Sequence, residues 1–131
     1  HPQDGPAKLT VEPSVYHAVA QAAVTLADDI NAVALVVFTA TGNTAVRVAR
    51  ERPQLPLIAL TPSMDVQRRL SMLWGARTFL QEETDYETAV EQSRRLILEH
   101  KIGSRGQQII VVAGIPFGKS GSTNSLRVVD L

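Results

Sequence analysis

Apolar residues along this chain follow two spacings, one typical of helices and one typical of buried strands. In residues 14–30, Val15, Val19 and Ile30 recur at helical spacing, which predicts an amphipathic helix. Residues 33–38 then form a continuous apolar run rich in β-branched side chains, the composition of a strand covered on both faces. The first regular elements are therefore a helix and a buried strand.

The cycle of helix and strand repeats along the chain. Further helices are predicted to begin near Thr44, Thr61 and Thr84, and further strands to cover residues 57–60, 77–80 and 109–113. Thr61 is expected to cap its helix, with Pro62 in the first helical position. Thr84 opens a capping box, in which a threonine hydroxyl and a glutamate carboxylate satisfy backbone amides. Gly103 is expected to end that last helix.

This alternation is typical of an α/β fold with a mostly parallel sheet. Only eleven residues lie between Ala113 and Ser125, too few for a helical crossover to a parallel strand. A strand from Leu126 to Val129, at the edge of the sheet, is therefore expected to run antiparallel to the fourth strand. We predict a three-layer sandwich with a five-stranded sheet of order 3-2-1-4-5, in which strand 5 is antiparallel.

Composition fits a single folded domain. The 131 residues include 13 Lys plus Arg and 13 Asp plus Glu, and 44% are hydrophobic. Residues 1–12 lack apolar periodicity and are predicted to be a tail or an interdomain linker before a domain over residues 13–131. Zero net charge argues against nucleic-acid and membrane partners. The absence of Cys excludes disulfides and thiol chemistry and fits a cytoplasmic protein.

The titratable residues form no pattern of a catalytic or metal centre. His1 lies in the predicted tail, His17 in the first helix and His100 at the end of a later one, with no suitable partner nearby in sequence. The arginine pair Arg68 and Arg69 is expected on a solvated helix face. We therefore predict no catalytic residue and no metal ligand in this chain.

Residues 39–44 join the C-terminal end of the first strand to the next helix, which is where parallel sheets bind ligands. Gly42 permits a tight turn, and free amides at the helix start favour an anion. The polar side chains of the loop belong to Thr39, Thr41, Asn43 and Thr44. A phosphate could be held there without net positive charge. The alternative is a capped turn, with Thr41 or Asn43 as N-cap.

A second glycine-rich loop follows the fourth strand. Gly118, Lys119 and Ser120 imitate a P-loop, but a P-loop needs a helix directly after its lysine, and here a strand follows. In the order 3-2-1-4-5, this loop, which includes Gly121, flanks the same crevice as the first loop. Lys119 would then offer a mobile cation to an anionic ligand. The alternative is a surface connection without a ligand.

Several spaced motifs resemble the C-terminal domain of pyruvate kinase. They cover residues 34–45, 50–53, 57–61 and 121–128, and they keep their order from about Val15 to the end of the chain. In that family the domain is a five-stranded α/β unit whose last strand is antiparallel. It binds allosteric effectors and helps to assemble the tetramer, but it does not transfer phosphate.

The resemblance implies roles for individual residues. It places the phosphate loop on Thr39, Thr41, Gly42, Asn43 and Thr44, and a flexible effector loop on residues 114–121, including Gly118, Lys119, Ser120 and Gly121. Asn43 stands where many relatives have Arg or Lys, and residues 115–117 lack the Trp and Arg of fructose-bisphosphate binders. The effector is therefore left open between a sugar monophosphate, a nucleotide monophosphate and none.

The resemblance also implies an inactive isolated chain, because the catalytic barrel is absent from these 131 residues. The parent enzyme would transfer phosphate from phosphoenolpyruvate to ADP and would use Mg and K ions in that barrel. No cofactor is expected in this domain. Expected partners are a small phosphorylated metabolite and other copies of the chain, through the first helix and the edge strand. Rival interpretations are an assembly module without an effector site and a free-standing phosphate-transfer enzyme.

Overall fold

The computed structural model describes residues 11–74, 76–114 and 123–131. The helices are α1 (Val11–Asp29), α2 (Asn43–Arg50), α3 (Met64–Trp74) and α4 (Tyr86–Glu99). The strands are β1 (Ala34–Phe38), β2 (Leu57–Thr61), β3 (Arg77–Leu80), β4 (Gln108–Ala113) and β5 (Ser125–Asp130). Helix α1 extends back to Val11, before the predicted start at residue 14, and the first ten residues of the predicted tail lie outside the described residues.

The strands form one sheet in the order β3-β2-β1-β4-β5. Strand β1 pairs in parallel with both β2 and β4, and β2 pairs in parallel with β3. Strand β5 runs antiparallel to β4, with Ile110 opposite Val128. The predicted α/β class, strand order and antiparallel edge strand are confirmed.

Helices cover both faces of the sheet, which gives three layers. In β1, Leu35 and Val37 pack towards α1, α2 and α3, whereas Val36 and Phe38 pack towards α4. The crossovers through α2 and α3 build the sheet in one direction, and the crossover through α4 returns from β3 to β4. Because such crossovers are right-handed, the reversal places α4 on the opposite face.

The caps of α3 and α4 differ from the predicted ones. Thr61 lies within β2 and is fully buried. Ser63 caps α3 instead, because its Oγ accepts a hydrogen bond from the amide three residues further on at 3.2 Å. At α4 the N-cap is Asp85 rather than Thr84, and its carboxylate accepts from the amide three residues further on at 2.8 Å. A carboxylate there also complements the helix dipole.

Gly103 does not end α4 as predicted. The helix ends at Glu99, and the residue with a left-handed backbone is Lys101, at φ 57°. Gly103 is buried, and a Cβ at this position would lie 2.7 Å from side-chain atoms of both Val33 and Leu131. Close packing around the connection between α4 and β4 therefore explains this glycine.

Candidate functional site

The loops that follow β1 and β4 leave the sheet at the same edge. The two strands are adjacent and parallel, with Val37 opposite Val112. The order of strands changes direction at this pair, because β1 connects onward to β2 on one side while β4 lies on the other. Such a switch point is the usual position of a ligand crevice in an open α/β sheet.

The β1–α2 loop, residues 39–42, is folded by its own hydroxyl groups. Thr39 is buried, and its Oγ1 accepts a hydrogen bond from the amide of Gly42 at 2.7 Å. The Oγ1 of Thr41 accepts a longer one from the amide of Asn43 at 3.3 Å. Gly42 has φ 97°, a left-handed conformation that a Cβ disfavours. These residues therefore fix a tight turn at the end of β1.

The start of α2 carries no side-chain cap. Gly42 is the N-cap residue, so the alternative in which Thr41 or Asn43 caps this helix is wrong. The carbonyl of Gly42 accepts the first intrahelical hydrogen bond at 3.0 Å. The amides of Thr44 and Ala45 precede that bond and have no acceptor within the helix. Together with the positive end of the helix dipole, these amides suit an anion.

A residue from the far end of the chain holds Thr44. The Oγ1 atoms of Thr44 and Thr123 lie 2.8 Å apart, and both residues are buried. One turn further along α2, Arg47 donates from Nη1 to the same Thr123 oxygen at 3.0 Å. The guanidinium carbon of Arg47 lies 5.1 Å from the ring centre of Tyr16 in α1, within cation–π range. Elements α1 and α2 and the residues before β5 therefore meet at Arg47.

A second guanidinium reaches the loop from α3. Arg69 donates from Nη2 to the carbonyl oxygen of Thr41 at 3.3 Å. Its neighbour Arg68 instead lies 3.9 Å from the carboxylate of Asp65 within the same helix. Both arginines are exposed, as the sequence predicted, but only the packing of α3 shows that one of them contacts the loop.

The structure describes the first of the two predicted loops, residues 39–44. Of the predicted site residues it describes Thr39, Thr41, Gly42, Asn43 and Thr44, and these lie together at the start of α2. Gly118, Lys119, Ser120 and Gly121 lie outside the described residues, so their approach to this loop stays a prediction.

Sequence reasoning missed the contacts made by Arg47 and Arg69, and it placed Thr123 in the second loop at the same crevice without giving it a role of its own. The spacing of three residues between Thr44 and Arg47 was a usable signal, because residues three apart share a helix face. Arg69 gave no comparable signal, because its contact arises between separate elements.

His17 and His100 have their contacts away from this loop. His17 Nδ1 lies 3.6 Å from a carboxylate oxygen of Glu51, and the ring of His100 packs 5.0 Å from that of Phe79. Within residues 11–74, 76–114 and 123–131, no three or more His, Asp or Glu are grouped so that they could hold a metal ion. None of the helices in this described part is long and apolar enough to cross a membrane.

A hollow of ≈ 280 Å³ lies at the amino-terminal ends of β2 and β3, on the opposite side of the sheet from the end that carries the β1–α2 loop. Its lining includes Leu55, Pro56 and Ala76, with Arg52 and Arg77 also present. Of the predicted site residues that the structure describes (Thr39, Thr41, Gly42, Asn43 and Thr44), none lines this hollow, and no sequence pattern pointed to it. It is therefore separate from the β1–α2 loop.

Comparisons with known proteins agree with this architecture. The family described as "Pyruvate kinase, alpha/beta domain" matches residues 17–129. The chain is 42% identical over 116 residues to a pyruvate kinase of Agrobacterium vitis, covering 88% of this chain and 24% of that relative. It is 40% identical over 104 residues to a pyruvate kinase of Corynebacterium glutamicum, covering 79% of this chain and 22% of that relative.

A solved structure is similar over most of the chain. The crystal structure of a pyruvate kinase from Cryptosporidium parvum matches with a TM-score of 0.79 and 29% identity, covering 88% of this chain and 22% of that one. The chain therefore spans about a quarter of the length of the relatives that it matches.

Proposed function

This chain belongs to the pyruvate kinase α/β-domain family, and we propose that it is the effector-binding and assembly domain of a pyruvate kinase. In this proposal, the start of α2 binds the phosphate group of a small metabolite. Transfer of phosphate from phosphoenolpyruvate to ADP belongs to other parts of a longer enzyme. The observation that carries the proposal is the uncapped start of α2 at the switch point between β1 and β4.

The donors at this position suit a phosphate oxyanion. The amides of Thr44 and Ala45 supply hydrogen bonds that the helix does not use. Arg69 adds an exposed cation that already contacts the loop. Because the whole chain has zero net charge, attraction of an anion depends on these local groups. In an intact enzyme, a phosphate group bound at the start of α2 would then favour one of two arrangements of the interface between subunits.

Assembly is proposed through α1 and β5. Strand β5 lies at one edge of the sheet, and an edge strand is a usual place for pairing with a strand of another copy. The side chain of Val128 on this strand is 41% exposed, and Val15 on α1 is 49% exposed. Ala18 and Ala22 extend that exposed face of α1 with small residues. Both surfaces offer apolar area to a second subunit.

The second candidate function is an assembly module whose β1–α2 loop binds no effector. It is favoured by the hydrogen bonds within the loop, because the hydroxyls of Thr39 and Thr41 already satisfy two of its amides. In this alternative the polar residues have only a structural role.

Calorimetric titration with fructose 1,6-bisphosphate, ribose 5-phosphate and AMP separates the two functions. The proposal expects saturable binding of one of these ligands, and loss of that binding when Thr41→Ala and Thr44→Ala are combined. The exposed Thr25 of α1 provides a matched control, and Thr25→Ala is expected to bind as the parent chain does. Absence of binding by all three ligands would favour the assembly module. Binding that survives the double substitution would exclude this loop as the phosphate site.

A further inference from the structure

We draw no further inference here: the strongest candidate, the surface patch of exposed apolar side chains that Met64 and Met72 on α3 and Leu80 at the end of β3 provide, carries nothing because no feature of the described residues shows what covers it.

Discussion

Thr44 and Thr123 share a buried hydrogen bond of 2.8 Å although 79 positions separate them in the sequence. The bond joins the first turn of α2 to the residues that precede β5. Strands β1 and β4 already end at the same edge of the sheet because they are adjacent and parallel. The two hydroxyls extend that backbone relationship to side chains, beside the loop proposed to bind phosphate.

Thr123→Val is expected to lower the free energy of unfolding by about 1–3 kcal/mol. The nearly isosteric valine keeps the volume but leaves Thr44 and Arg47 without the oxygen that they contact, and unmet buried polar groups carry a cost of that size. Urea unfolding measures the change. Thr25→Val, at an exposed position of α1, is the control and is expected to change stability by less than about 0.5 kcal/mol. Equal losses in the two variants would contradict a specific role for the buried pair.

Gly42→Ala is expected to cost about 1–2 kcal/mol, because an L-residue is strained at φ 97°. A Cβ there would lie 3.5 Å from Val66, an ordinary contact, so backbone strain is the main effect. Gly106, at φ 90° and with nothing within 4 Å of an added Cβ, is the matched control. Both alanine variants should lose similar stability in urea unfolding, but only Gly42→Ala should also weaken phosphate binding. Unaltered stability of Gly42→Ala would show that the turn differs from the one described.

Arg69→Gln is expected to weaken phosphate binding and to reduce its dependence on salt concentration, because the substitution removes a cation beside the loop. A loss of about fivefold or more corresponds to one charge-assisted hydrogen bond. Arg68→Gln removes the same charge from the adjacent position, which faces Asp65 instead, and should bind nearly as the parent does. Calorimetry at two salt concentrations makes the comparison. Equal effects of the two substitutions would mean that only the overall charge matters.

The N-cap of α4 is expected to make stability depend on pH in the acid range. Hydrogen bonds from the amide and then the hydroxyl of Thr88 hold the pKa of Asp85 below its ordinary value of 3.8. The folded state therefore favours the ionised carboxylate, and this stabilisation is present above pH 3.8 and lost as the pH falls through the lower folded-state value. Urea unfolding over a pH series should show the stability gap between the parent and Asp85→Asn narrowing under acid. If this stability difference instead grew as the pH fell, folding would raise the pKa of Asp85 rather than lower it.

The strand order could be predicted because buried strands leave unbroken apolar runs such as Ala34–Phe38, and right-handed crossovers restrict how they connect. The helix starts were less predictable. Ser63 competes with Thr61, and Asp85 competes with Thr84; all four belong to the residue types that cap helices, with Ser and Asp preferred over Thr. Tertiary packing decides between them: Thr61 is buried within β2, which leaves Ser63 to cap the helix.

The site could be predicted only in its local part. The hydroxyl and glycine pattern of residues 39–44 follows a strand directly, so its position at the sheet edge follows from local sequence. The contacts of Arg69 and Thr123 with this loop depend on how α3 and the start of β5 pack around it, which no local pattern records. Gly103 shows the same limit, because its role comes from Val33 and Leu131 rather than from the helix that it follows.

Binding of an anion at the start of α2 can be located residue by residue. Inorganic phosphate is titrated into the isotopically labelled chain while amide resonances are followed by NMR. We expect saturable shifts at Thr44 and Ala45 and none at Gly106, which precedes β4 at the opposite edge. An absence of saturable shifts, or shifts confined to the hollow beside Arg52 and Arg77, would contradict this expectation.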